Sequence, residues 1–284
     1  MLKKANSRGA IVLWLDDFFA EPMRRVSQEQ REFLASPESK KPDWHLMAAL
    51  LATAAILALQ YYMFHGGGLL DLLDLLALVL PGGSDAPLLQ WLNTPENARL
   101  TMLAWWAVGL SITYVLVPII IVCGVFRRPL SDYGVKIRGA LNCWWVYLLM
   151  YLAIVPFVLR ASTSESFLRT YPFYKLDAGE PLWPRFLIWE MLYAMQFVSL
   201  EFFFRGFLLH SMRRRFGVYA IFAMMIPYCM IHFGKPMPET YGAIFAGVIL
   251  GFMSLKTRSI WLGAAAHIAV AWTMDAAAIW QRFH

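Results

Sequence analysis

The sequence predicts an all-α fold, a polytopic transmembrane helix bundle of about seven spans plus one interfacial or re-entrant helix. Three observations carry this expectation. Hydrophobic residues fill 59% of the 284 positions and charged residues only 15%, against roughly 25% charged in soluble domains. Mean hydropathy is +0.51. The apolar residues also collect in runs close to the ~20 that a helix needs to cross the hydrocarbon. Such a composition excludes a disordered chain, a collagen and a secreted disulfide scaffold. The three cysteines, Cys123, Cys143 and Cys229, lie inside apolar runs and read as packing residues.

Taken in order, residues 1–45 read as a cytoplasmic, amphipathic N-terminal segment. Lys3, Lys4 and Arg8 precede an apolar patch at 10–15. The patch resembles a signal peptide only superficially, because Asp16 and Asp17 cut it short and no small-residue cleavage site follows. The predicted spans are 46–64, 100–124, 140–159, 186–209, 218–233, 241–255 and 260–280. The fifth and sixth are short and suit a tilted or partly interfacial pair. The stretch 69–80 is shorter still, with Asp71 and Asp74 three apart on one helical face, which gives the interfacial or re-entrant helix. No internal repeat and no low-complexity linker is visible, so residues 46–284 read as one transmembrane bundle.

Charge sets the expected orientation. With the N-terminus inside, the inner segments carry 17 Lys and Arg and the outer segments 7, the bias expected of cytoplasmic loops. The net charge of +6 therefore points to topology, and the Arg213–Arg215 cluster reads as an anchor with no nucleic-acid partner. The expected location is a bacterial inner membrane, with the lipid bilayer itself as a partner.

Ionisable side chains within hydrocarbon cost several kcal/mol unless paired or hydrated, so their positions are the functional pointers. The fourth span holds Glu190, Gln196, Glu201 and Arg205. At 100° per residue, Glu190, Glu201 and Arg205 project from one side, and Glu201 and Arg205 are an i, i+4 pair. An ion pair that only fixes helix packing explains this spacing as well. His232 closes the fifth span and His267 lies within the seventh. One intramembrane His is ordinarily a packed, hydrogen-bonded residue. Two beside a Glu/Arg pair supply what amide hydrolysis needs: a group to deprotonate water, a group to hold it, and a donor for the oxyanion.

Glu201-Phe-Phe-Phe-Arg205-Gly206, then Tyr228-x-x-x-His232, then His267 in a late helix resemble the three motifs of the CAAX prenyl protease and bacteriocin-processing family (CPBP, or Abi). Its members are intramembrane glutamic endopeptidases. The resemblance spans about 186–276. It implies hydrolysis of a peptide bond in a membrane-associated protein or peptide by glutamate- and histidine-activated water. Glu201 is the candidate base, oriented by Arg205, while His232 and His267 hold water and oxyanion. Two positions depart from the pattern. Leu200 stands where the family has its water-activating glutamate, and Ala271 stands where it has an Asn or similar residue after the third-motif His. Glu239, near Lys235, and Asp275, two turns after His267, are supporting candidates, although a solvated turn and a helix end explain them equally well.

The alternative is a non-catalytic relative with a binding or immunity role, which Leu200 and Ala271 favour. A transporter would need paired broken helices and repeats, and neither is visible. No cofactor and no metal is expected. Two histidines and a carboxylate match a zinc inventory, but there is no His-Glu-x-x-His helix, and Arg205 competes with a dication for Glu201. A difficulty of depth remains, since His232 falls near the outer end of its span while Glu201 and His267 lie about 11 Å from the inner ends. A kink at Pro227 or a short fifth helix would resolve it. His210 and His284, at span ends, read as solvated. Gly247 and Gly251, and Gly263 to Ala266, form small-residue faces for close helix packing.

Overall fold

Inside hydrocarbon only a helix satisfies every backbone N–H and C=O within its own segment, so apolar runs of this length fold as helices. The computed structural model describes residue 14 and residues 16–64, 67–177 and 179–283. Among these the chain is helical with no strand beyond an isolated bridge between Val135 and Ser259. The helices are α1 Glu21–Ala35, α2 Trp44–Leu59, α3 Gly68–Val79, α4 Pro87–Asn93, α5 Pro95–Ile119 and α6 Trp144–Ala161. They continue as α7 Glu165–Thr170, α8 Arg185–Glu201, α9 Leu209–Phe216, α10 Ala220–Met230, α11 Met237–Thr257 and α12 Trp261–Phe283.

Six stretches of the described residues are long and apolar enough to cross a bilayer: Trp44–Phe64, Asn97–Val125, Trp144–Ala161, Arg185–Met230, Met237–Thr257 and Trp261–Phe283. The predicted fourth and fifth spans have merged into the 46 residues of Arg185–Met230. At 1.5 Å per residue a straight helix of that length would measure about 69 Å, over twice the ~30 Å hydrocarbon. Gly217 interrupts it, in the left-handed half of backbone space at φ +57°, where a side chain would be strained. The two limbs fold side by side, with the Phe204 and Tyr228 rings 5.4 Å apart.

This hairpin removes the depth difficulty. The fourth segment does not stop near Leu209 but continues through α9 to Phe216, while α10 is only 11 residues long. Glu201 lies 16 residues before Gly217 and His232 lies 15 after it, so the arms are matched in length. The sixth span is longer than expected, because the residues after Pro236 wind into helix with Pro238 in the first turn, where its missing N–H is harmless. The small-residue face does what its spacing predicts. A Cβ at Gly247 would lie 2.8 Å from the Met225 side chain, and one at Gly251 would lie 3.0 Å from that of Met224.

At the end where α9 and α11 finish, α1 buries Val26 and Phe33 and binds across both helices. Arg25 donates to the Leu255 carbonyl at 2.8 Å, and Glu29 meets Arg258 at 2.5 Å and Arg213 at 3.8 Å. Arg214 and Arg215 face Glu38 and Asp43 at 3.6 and 3.4 Å. The arginine cluster is thus paired with carboxylates from the N-terminal segment. Lys3, Lys4, Arg8 and His284 lie outside the described residues. The stretch 69–80 is the 12-residue α3, with Leu70, Leu75 and Leu78 exposed.

Candidate active site

The site is built around the point where α8 passes into a π-helical segment, Phe202–Leu208, immediately after Glu201. A π turn shifts the backbone bonding partner by one residue, a distortion frequent at functional sites. Here the Arg205 carbonyl accepts a bond from Ser254 Oγ on α11 at 2.9 Å. Gly206 is required next, because a Cβ there would come within 2.6 Å of the Tyr133 carbonyl oxygen. The Glu-x-x-x-Arg-Gly element therefore has a steric basis as well as a charged one.

Glu201 and Arg205 are 1% and 0% exposed, and Arg205 Nη1 lies 3.1 Å from Glu201 Oε1. The contact is ionic without hydrogen-bond geometry, and the guanidinium lies 3.7 Å from the Tyr228 ring centroid. Tyr228 thus supplies a cation–π partner where water is excluded, the setting in which that interaction is strongest. Glu201 Oε1 also meets His267 Nδ1 at 2.9 Å. A carboxylate accepts this bond, so in the neutral ring Nδ1 carries the proton and Nε2 presents its lone pair. The Tyr228 hydroxyl lies 3.0 Å from that Nε2 and, in this tautomer, is the donor to it. Phe197 stacks on the imidazole at 4.9 Å, fixing the ring plane.

From the opposing limb, His232 is buried in the turn after α10. Its Nδ1 bonds the Tyr228 carbonyl at 2.9 Å, and its ring packs edge-on against the Tyr228 ring at 4.9 Å. A carbonyl accepts only, so in the neutral ring Nε2 is the free acceptor. Tyr228 therefore joins Arg205, His267 and His232. Sequence reasoning placed it within a motif without giving it a role, although i, i+4 spacing to His232 puts both on one helix face.

The supporting candidates are placed differently. Asp275 faces Glu190, both buried, with Trp189 beside Asp275. The pair forms a second polar layer, with Glu190 three turns along α8 from Glu201 and Asp275 two turns along α12 from His267. Glu239 is engaged by Lys235 Nζ at 2.8 Å and by the Tyr171 hydroxyl at 2.7 Å. It ties the connection after His232 to the segment after α7. Burial, with Tyr193 and Glu239 nearby, pushes the Tyr171 phenol well above its usual range, so it stays a donor. His210, expected to be solvated, is 4% exposed and bonds Ser254 Oγ at 3.2 Å. The reason is that α9 continues the buried helix past the predicted span end.

Gly263 lies one turn before His267, and a Cβ there would stand 2.9 Å from Glu201 Oε2. We expect Gly263→Ala to lower any activity of the site by about 10- to 100-fold, since displacing a reacting group by an ångström costs on that order. The unfolding free energy should fall by only about 1–3 kcal/mol, the usual overpacking cost. A variant with unchanged turnover would show that the tight α12 approach does not set the Glu201 position.

Residues 182–273 match the model of a family described as type II CAAX prenyl endopeptidase Rce1-like. The matched stretch runs from just before α8 to within α12 and contains Glu201, Arg205, Tyr228, His232 and His267. No curated protein and no solved structure matches the chain. At the level of that family the match supports a CAAX-protease-type intramembrane endopeptidase. Together with the six apolar helices it supports an integral membrane protein.

Proposed function

From the Rce1-like match, we propose that this chain hydrolyses a peptide bond of a membrane-associated protein or peptide, with water activated at the Glu201–His267 pair. The observation that carries the reading is the 2.9 Å contact between His267 Nδ1 and Glu201 Oε1. It leaves Nε2 basic and gives the imidazolium that forms a carboxylate partner. Glu201 itself is 1% exposed and shared with Arg205, so it acts through His267, the base that meets water. Nε2 takes a water proton as the water oxygen bonds to the carbonyl carbon. When the C–N bond breaks, the same Nε2–H protonates the departing amine. His232, with Nε2 free, holds the water from the facing limb.

The test is cleavage of a membrane-anchored peptide library by the full chain in liposomes, followed by identification of the new termini. Cleavage lost in Glu201→Gln supports the proposal, and no cleavage by the unaltered chain overturns it. The same assay separates the non-catalytic reading, which rests on Leu200 and Ala271, both buried among apolar side chains.

Activity is expected to survive strong chelators after dialysis. Oε1 of Glu201 already meets a fixed cation and an N–H donor, and both oppose a dication at that oxygen. Loss on chelation with recovery specific to zinc would make His232, His267 and a carboxylate ligands instead. For orientation, the proposal is an N-terminus inside a bacterial inner membrane. Single cysteines at Lys136 and Ser166, on a background lacking Cys123, Cys143 and Cys229, should label from inside and outside respectively. Equal labelling of both from outside contradicts that orientation.

A further inference from the structure

The proposed reaction needs a donor for the oxygen that becomes negative when water adds to the carbonyl. One turn beyond His267 on α12, the face that could supply one carries Ala271, 3% exposed within an apolar cluster with Trp189 and Tyr193. It offers no donor. Among the described residues, the hydroxyl bonded to the proposed base is that of Tyr228, 3.0 Å from His267 Nε2. Tyr228 is 1% exposed, and its ring is held between Arg205 at 3.7 Å, Phe204 at 5.4 Å and His232 at 4.9 Å. Its hydroxyl is therefore placed by packing on several sides, as an oxyanion donor must be if it is to act without reorganisation.

We infer that the Tyr228 hydroxyl is the oxyanion donor of this site, and that it caps the lone pair of His267 until a substrate carbonyl takes its place. This rests on the endopeptidase reading above and deepens it. In the resting site the hydroxyl donates to Nε2. A bound substrate places its carbonyl oxygen beside Tyr228, and a rotation about the C–O bond moves the phenolic hydrogen from Nε2 to that oxygen. The freed Nε2 then accepts the water proton. As the O–C bond forms, the carbonyl π pair moves onto oxygen and is met by the Tyr228 O–H. On collapse the pair returns, the C–N bond breaks, and Nε2–H passes its proton to the amine. No co-reactant beyond water is needed. Arg205, packed on the Tyr228 ring, puts a fixed positive charge next to the developing anion without contacting it.

The experiment compares the full-length chain and Tyr228→Phe in liposomes on a peptide that the unaltered chain cleaves. Phenylalanine keeps the ring and removes only the donor. The expected result is a fall in kcat of about 100- to 1000-fold with KM little changed, the signature of an interaction made in the transition state. A residue that merely supports packing would not split the two constants in this way. A 3-fluorotyrosine at 228 preserves the packing and strengthens the donor, so it keeps the question decidable where Tyr228→Phe does not fold. An altered kcat at constant KM in the fluorinated chain supports the assignment. An unaltered kcat in Tyr228→Phe, or in the fluorinated chain if the former does not fold, overturns it while the endopeptidase reading stands. A peptide library left uncut by the unaltered chain overturns both.

Discussion

Glu201→Gln should reduce kcat by about 100- to 10,000-fold, because it removes the group that sets the tautomer of the base His267. Glutamine preserves the shape of the side chain and removes its negative charge. The carboxylate now accepts from His267 Nδ1 at 2.9 Å and faces Arg205 at 3.1 Å. An amide presents either its oxygen, which is a weaker partner for the imidazolium, or its NH2 group, which forces the Nδ1 lone pair inward and the proton onto Nε2. In the second arrangement the base has no lone pair for water. Folding should suffer less, since the Gln oxygen can still face Arg205 and the guanidinium keeps the Tyr228 ring at 3.7 Å. Turnover with far-ultraviolet circular dichroism on the same preparation checks both halves. Full activity in a folded Glu201→Gln protein would remove Glu201 from the reaction and leave its ion pair as packing.

How much of this was legible in the sequence depends on the range of the forces involved. The Glu201–Arg205 pair is local, separated by four residues on one helix, and its contact follows from helical geometry. The small-residue face at Gly247 and Gly251 was legible for the same reason. The end of the fourth span was not. Hydropathy stops near Leu209 because His210 and Arg213–Arg215 follow, yet the helix runs on to Phe216. Charges at that end are matched by Glu29, Glu38 and Asp43 from the N-terminal segment, a partnership between residues about 170 to 190 apart that no window of sequence contains. The depth of His232 follows from this same hairpin. Asp275 was noticed, but its partner Glu190 lies on another helix, and spacing along one chain says nothing of that. Tyr228 was missed as a chemical group because its neighbours, Arg205 and His267, come from the other two motifs.

Arg205→Ala should cost roughly 3–5 kcal/mol of stability, the scale of breaking a buried ion pair on one side only. Glu201 would be left at 1% exposure with His267 as its remaining partner. Tyr228 would lose the guanidinium packed on its ring, an interaction worth about 2 kcal/mol when desolvated, and a void would open beneath the π-helical segment. Denaturant titration in detergent measures the loss. A companion pair of substitutions separates charge from packing: Glu201→Leu with Arg205→Met fills similar volume with apolar side chains, and such replacements are often neutral or stabilising. The double variant should regain most of the stability lost in Arg205→Ala and show no cleavage. That outcome assigns the pair to chemistry, because the fold can do without it. If Arg205→Ala is as stable as the unaltered chain, the guanidinium does not hold Glu201. If the double variant is no more stable than Arg205→Ala, the ion pair belongs to the architecture of the hairpin as well as to the site.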